Sequence, residues 1–297
     1  MTSISHSALR AFHAVATEGS FTKAARTLNV TQPTLSGQVK GLEEQFGVRL
    51  FDRRKRKIEL TDIGRNLLDI TWRMFGLEAE AEQVLTAAKG LKRGHLRIGA
   101  DAPYHSIPFL AAFNRRYPNV RLSMSIGNSA GLKADLIDQR FDVVIAADIG
   151  GDPKLFSFPF QEDYLIAFVD RAHPWSRKRK IRLDELAGHR LVLREPASTT
   201  RRAFDAAIAK AGIQTGEILE IGSREAIREG VAAGLGIGIV ARSEFGDDMR
   251  LKALEFEGPR IKSTEFVACL ADRRGTPLVK AFLEVAKETA GDGRAAI

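Results

Sequence analysis

Cysteine is nearly absent from this chain. The single residue, Cys269, excludes an intramolecular disulfide and any cysteine-based metal cluster. It lies in the apolar run EFVACLA, which predicts a buried structural thiol. Apolar runs of membrane-spanning length are missing too, so no membrane partner is expected. The N-terminus runs straight into a helical pattern. No secretory leader is therefore expected, and the cytoplasm is the expected compartment. The signatures of catalysis are also lacking: no phosphate loop, no HExxH and no defensible Ser-His-Asp arrangement. The run GLGIG at 234–238 precedes a strand instead of joining a strand to a helix, which is the wrong context for nucleotide binding. His105 and His173 are isolated in the sequence. No enzyme activity, cofactor or metal is expected.

What is present is apolar residue content and positive charge. The 297 residues predict about two domains, and 44% hydrophobic residues are ample for real cores. The net charge is +8. Residues 1–60 hold 10 Lys and Arg against 5 Asp and Glu, a net +5 in a fifth of the length. Such a concentration suits a nucleic-acid partner.

Residues 21–46 read as two short amphipathic helices around a tight turn. Phe21, Ala24, Ala25 and Leu28 line one face of the first; Leu35, Val39, Leu42 and Phe46 line one face of the second. Asn29 can take the left-handed conformation the turn needs. Thr31 is a candidate N-cap, and Pro33 is tolerated in the first turn. The small pair Ala24-Ala25 allows close crossing. A helix-turn-helix places the start of its second helix at base edges in the major groove. Gln32, Thr34, Ser36 and Gln38 can exchange hydrogen bonds there, and Lys40 can reach a phosphate. An ordinary helical hairpin is the alternative. The neighbours favour DNA: residues 8–16 form a third apolar-striped helix, and Gly47 is a helix stop. Beyond it, two short strands (48–51 and 58–60) flank Arg53, Arg54, Lys55, Arg56 and Lys57. A basic tip in that place reads as a wing on phosphates or the minor groove.

The text SALRAFHAVATEGSFTKAARTLNVTQPTLSGQVKGLEEQFGVRLFDRRKRKIELTDIG, within 7–66, resembles the LysR-type transcriptional regulators. GSFTKAA, TQPTLSGQV, LEEQFGVRLF and ELTDIG carry the resemblance. Gly37 and Ile63 depart from the family pattern. The resemblance implies a double-stranded DNA operator, a homodimer or homotetramer, and contact with RNA polymerase if the protein activates.

Residues 62–91 carry Leu67, Ile70, Met74, Leu77, Ala81, Val84 and Leu85 at spacings of three and four. A helix of roughly 28 residues would be about 42 Å long and could not bury this stripe alone. The resemblance implies an antiparallel linker-helix dimer, with Leu67, Met74, Leu77 and Val84 between subunits. Gly90 and Gly94 mark the next boundary. The expected domains are a winged helix-turn-helix (1–61), a linker helix (62–91) and an effector domain (92–297).

From His95 strands alternate with helices, which predicts α/β architecture with parallel sheets. Strands fit HLRIGA, VRLSMSI, FDVVIAA, YLIAFV, RLVLR, EILEI, GIGIV and EFVACLA. The resemblance adds a two-lobed, periplasmic-binding-protein-like fold of type 2. Lobe I would take about 92–161 and 267–297, lobe II 162–266, with crossings near Gln161–Asp163 and Glu265–Val267. Ligands in such sheets sit beyond the carboxyl ends of strands. That rule selects Asp101, Tyr104, Asn128, Ser129 and Asp148 in one lobe. In the other it selects Ser198, Thr199, Thr200, Arg201, Ser223 and Arg224. Hydroxyls at three helix starts are individually ordinary N-caps. Converging on one cleft with two arginines, they point to a small anion. Asp101 and Asp148 would suit a cationic group on the same ligand.

The stretches RIGADAPYHSIPFLAAFNRRYPNVRLSMSIGNS and GSREAIREGVAAGLGIGIV resemble LysR-type regulators associated with aminoethylphosphonate catabolism. That compound, a zwitterion, is the candidate effector; an organic acid is the alternative. A free-standing solute-binding protein, an enzyme or a purely architectural DNA binder accounts for less of the chain.

Overall fold

The computed structural model describes residues 3–52, 58–87 and 94–291. The chain divides into two compact units, the first of Met1–Glu82 with Asp138–Arg140 and the second of Gln83–Ile137 with Phe141–Ile297. In the first unit, helix α1 (His6–Glu18) packs on α2 (Phe21–Thr27) and α3 (Gln32–Phe46). Each helix starts on a hydroxyl cap: Ser5, Ser20 and Thr31 accept the backbone N–H of Ala8, Lys23 and Thr34. Asn29 takes φ 54° in the turn, and Gly47 ends α3 at φ 63°. The core gathers Phe12, Val15, Ala24, Ala25, Leu35, Val39, Leu42, Leu50 and Phe51. Phe46 is a correction to the sequence reading. It sits on the last turn of α3 and is 47% exposed.

Strands β1 (Phe51–Asp52) and β2 (Glu59–Leu60) pair antiparallel and are shorter than their patterns predicted. The basic tip with Arg53, Arg54 and Lys55 lies outside the described residues. The Glu43 carboxylate accepts the N–H groups of Leu50 and Phe51 and ties α3 to β1. Helix α4 (Asp62–Ala87) begins where a Cβ on Gly64 would stand 2.2 Å from the Leu50 carbonyl oxygen. Only glycine fits that approach. The described helix is 26 residues long, about 39 Å, and Gly90 lies outside the described residues.

The stripe on α4 is not uniform. Leu67 packs on the unit's own core, so it cannot lie wholly between subunits. Met74 is half-buried, whereas Ile70, Leu77 and Leu85 are exposed. Val84 has no described side chain.

The second unit begins with β3 (Gly94–Ala100), α5 (Pro103–Arg116), β4 (Val120–Ile126), α6 (Ser129–Ile137) and β5 (Val143–Ala147). Then come β6 (Leu155–Asp170), β7 (Lys180–Ile181), β8 (Leu191–Leu193), α7 (Thr199–Ala211), β9 (Ile218–Glu220), α8 (Arg224–Ala232) and β10 (Ile237–Ala241). It closes with β11 (Leu251–Phe256), β12 (Lys262–Leu270) and α9 (Pro277–Gly291). The strand order is β4-β3-β5-β12-β6-β10-β8-β9. The flanks of this order, β4-β3-β5 and β10-β8-β9, are parallel as predicted. The two long strands are antiparallel to their neighbours, which the sequence reading missed. It also missed the first half of β6, together with β7 and β11. LFSFPFQED carries proline and charge that mask its strand pattern.

These two strands build the two lobes. The first half of β6 pairs with β12 in one lobe; its second half pairs with β10 and β11 in the other. The register of β12 against β6 shifts between Glu265 and Phe266. Each lobe buries both sheet faces. Phe109, Phe113 and Phe282 of α5 and α9 cover one face of lobe I, and Leu132 and Leu136 of α6 the other. In lobe II, α7 supplies Phe204 and α8 supplies Ile227 and Val231. Cys269 is fully buried in lobe I, and burial pushes its thiol up to about 11.

Candidate functional site

In the first unit, Thr31, Gln32, Pro33, Thr34 and Lys40 stand exposed on α3, and Ser36 and Gln38 are half-buried. The Thr31 and Thr34 hydroxyls bond each other at 2.8 Å, so both are already engaged in the cap. Lys40 pairs with Glu44 at 3.2 Å, an exposed bridge that a phosphate can displace cheaply.

In the second unit, one cleft between the lobes gathers Asp101, Asn128, Ser129, Ser198, Thr199, Thr200 and Arg224. Four expected residues are not among its lining. Tyr104 is exposed on α5. Asp148 takes φ 54° and accepts the Thr264 N–H, a turn role. Arg201 folds back on Asp205 at 2.8 Å and on the Arg194 carbonyl. Ser223 is committed as the N-cap of α8, accepting from Ala226.

The cleft also holds residues the sequence reading did not select: Arg194, Ala241, Glu244, Ser263 and Glu265. The loop after β8 that the carboxyl-end rule selected opens on Arg194, and the same rule applied to β10 reaches Glu244. Glu265 lies where β12 crosses between lobes, a position that no loop rule inspects.

Side-chain contacts join the lobes across this cleft through Thr199, Arg224 and His105. Thr199 donates to Ser129 Oγ at 2.9 Å, and Ser129 donates to Asp101 Oδ2 at 3.1 Å. Arg224 donates to the Asp101 carbonyl. His105 Nε2 meets Ser243 Oγ at 2.8 Å. The remaining cavity is about 10 Å³, room for one water at most. The lobes are therefore closed, and a metabolite enters only if they part.

The helix starts around the cleft differ. Asn128 Oδ1 accepts the Gly131 N–H at the start of α6. Ser198, the N-cap of α7, makes no side-chain cap bond although it is buried. The Ser198 side chain therefore leaves the first N–H groups of α7 without a side-chain cap, while the Thr199 hydroxyl is held by Ser129.

The floor is acidic. Asp101, Glu244 and Glu265 are all buried, against Arg194 and Arg224. Arg224 Nε lies 2.7 Å from Glu244, yet burial still raises the Glu244 pKa. Burial and then the Asp101 charge push Glu265 up to about 7. For His105, burial alone would lower the pKa, but the Glu265 carboxylate outweighs it and the net shift is upward. His105 is thus not isolated as its sequence context suggested: its Nδ1 lies 3.4 Å from Glu265.

Among the described residues, no helix is long and apolar enough to cross a membrane. Residues 6–65 match the bacterial regulatory helix-turn-helix protein family of lysR type, and residues 89–291 match the LysR substrate binding domain. The transcriptional activator CmpR of Synechocystis is 30% identical over 92% of this chain and 91% of that protein. The regulator CbbR of Xanthobacter flavus is 31% identical over 93% of this chain and 85% of that protein. In fold, the chain is similar to full-length OxyR from Pseudomonas aeruginosa. The TM-score is 0.74 at 23% identity, covering 97% of this chain and 96% of that one. CbnR in complex with its target DNA gives 0.70 at 22% identity, covering 95% and 98%. Family matches over nearly the whole length, and relatives aligned across nine-tenths of it, place this chain in the LysR family of DNA-binding transcriptional regulators, which are not enzymes.

Proposed function

We propose that this regulator responds to a small zwitterion held between its lobes, with aminoethylphosphonate as the candidate. The uncapped, buried start of α7 carries this reading. Its amides and the hydroxyls of Ser198, Thr199 and Thr200 form an anion seat, strengthened by the helix dipole. The acidic floor separates a zwitterion from a plain anion. A dianion alone would face Asp101, Glu244 and Glu265 across a narrow space, whereas an ammonium group would satisfy them. Asp148 is dropped from this role because it lies outside the cleft lining.

Regulation follows if the ligand favours one arrangement of the lobes. Binding must replace the Thr199–Ser129 and Arg224–Asp101 contacts, so the effector and the interlobe bonds compete for the same groups. DNA would be read by Gln32, Thr34, Ser36 and Gln38 on α3, with Lys40 and the basic wing on phosphates. The α4 stripe would join two chains.

The relatives named above supply a second reading. Beside CmpR and CbbR stands a RuBisCO operon transcriptional regulator of Allochromatium vinosum at 29% identity. Neither CmpR nor CbbR is named for a phosphonate. Control of carbon-fixation genes by an organic acid or phosphorylated metabolite uses the same α7 seat but leaves the floor acids unexplained. Calorimetric titration of the full chain separates the two. The zwitterion reading expects aminoethylphosphonate to bind more tightly than phosphate or simple carboxylates. The reverse order would assign the cleft to a plain anion.

A further inference from the structure

We propose that Asp101, His105 and Glu265 form a binding site for a divalent transition-metal ion at the floor of the interlobe cleft. One donor atom from each lies within 4.8 Å of the others, and all three side chains are buried. Asp101 Oδ1, His105 Nδ1 and Glu265 Oε2 have no hydrogen-bond partner. Two buried carboxylates facing an imidazole nitrogen are costly in a dry site unless a proton or a metal cation lies between them.

The surrounding hydrogen bonds fix the histidine. Asp163 Oδ2 accepts the Ser243 N–H at 3.2 Å and also the Ser243 hydroxyl. The Ser243 proton is therefore spent on Asp163, and Ser243 Oγ can only accept from His105 Nε2. In the neutral ring this leaves the lone pair on Nδ1, aimed at Glu265 Oε2 at 3.4 Å. Two lone pairs at that distance repel unless something positive lies between them. The Asp163–Ser243–His105 chain is the outer shell that metal-binding histidines characteristically have. Asp101 is anchored likewise, its Oδ2 accepting from Ala147 N at 2.8 Å and from Ser129, which leaves Oδ1 available.

Charge agrees with geometry. Asp101, Glu244 and Glu265 crowd three buried carboxyl groups around His105, a cluster that a divalent cation would neutralise. One imidazole nitrogen with two carboxylates suits Zn²⁺, Mn²⁺ or Fe²⁺ better than Mg²⁺ or Ca²⁺, which prefer oxygen alone. Ligands about 2.1 Å from one tetrahedral ion lie about 3.4 Å apart, so these donor atoms, now within 4.8 Å of one another, draw closer on binding. The site shares Asp101 with the proposed effector seat, so metal and an ammonium group would compete. The test uses metal alone, and either reading can fail without the other.

The full-length protein is stripped with a chelating resin and titrated with Zn²⁺ by calorimetry, then with Co²⁺ by visible absorption. One tight site per chain is expected. His105→Gln and the isosteric Glu265→Gln should each weaken it at least ten-fold and abolish the Co²⁺ bands. Ser243→Ala, which frees the tautomer, should weaken it by about ten-fold. Thermal melts show whether the variants fold, and Zn²⁺ should raise the midpoint of the wild type but of neither ligand variant. The proposal is overturned if the wild type binds no Zn²⁺ tightly. It is equally overturned if folded His105→Gln and Glu265→Gln bind as the wild type does, since the metal then sits elsewhere. A proton shared between His105 and Glu265 would then explain the pair.

Discussion

Thr199 donates its hydroxyl proton to Ser129 Oγ at 2.9 Å, joining the first residue of α7 in one lobe to the first residue of α6 in the other. Both residues are buried and both line the cleft. The bond therefore holds the closed state and occupies groups that an anionic effector needs.

Removing that hydroxyl should weaken effector binding. A typical hydrogen bond contributes about 1 kcal/mol, so Thr199→Ala should raise the dissociation constant about five-fold. Thr199→Ser keeps the donor and should stay near the wild type. Calorimetry on the three proteins decides. Equal affinities would mean that the α7 start does not hold the ligand.

The α4 stripe makes a different prediction. Leu77 is 59% exposed in the isolated chain, so Leu77→Glu should leave the monomer folded. Between two subunits the same carboxylate would be buried without a partner. Sedimentation should show a shift to monomers, and operator affinity should fall because two half-sites are no longer read together. Leu67 is unsuited to this test, since it packs on its own domain's core.

Two glycines should respond in opposite directions. Gly41 lies within α3, exposed, with open space around its missing Cβ. Gly41→Ala should stabilise the first unit by about 0.5–1 kcal/mol through lower backbone entropy in the unfolded chain. Gly64→Ala puts a methyl 2.2 Å from the Leu50 carbonyl oxygen and should destabilise it by about 1–3 kcal/mol. Thermal midpoints of the two variants should move apart around the wild type.

Cys269 gives a prediction in pH. Its thiol keeps the proton up to about 11 in the folded protein, against 9.0 as its ordinary value. A raised folded pKa means that the stabilisation is complete below pH 9 and is lost as pH rises through 11. Urea midpoints of wild type and Cys269→Ala should therefore run parallel below pH 9. Above it the wild type should fall more steeply. Thiol reagents at pH 8 should modify Cys269 only after unfolding.

Local signals made the first unit readable. Thr31, Asn29 and Gly47 each do what their own chemistry dictates, because caps and left-handed turns depend on a few adjacent residues. Phe46 misled because periodicity says which face is apolar, not where that face ends. In the second unit, strands and helices were legible from alternation, but the antiparallel entry of β6 and β12 was not. Strand direction is set by chain-distant pairing, such as Glu265 opposite Gln161. The same cause hid the floor of the cleft. Asp101, His105 and Glu265 come together across 164 sequence positions (101 to 265), and spacing rules look only at neighbours.

The DNA contacts assigned to α3 and to the wing should separate by their response to salt. Gln32 stands exposed on the first turn of α3, next to the Thr31 cap. If it reads a base edge, Gln32→Ala should lose about 1–3 kcal/mol on the operator and almost nothing on random DNA. Lys55 is the middle residue of the basic run Arg53–Lys57. A phosphate contact carries no sequence information, so Lys55→Ala should weaken both DNAs alike and lower the salt slope by about one. Lys40 should behave in the same way but more weakly, because leaving Glu44 offsets part of what the phosphate contributes. Fluorescence anisotropy on operator and random duplexes at several salt concentrations reads all three. Matching losses for Gln32→Ala on both duplexes would remove it from base reading and return α3 to a backbone role.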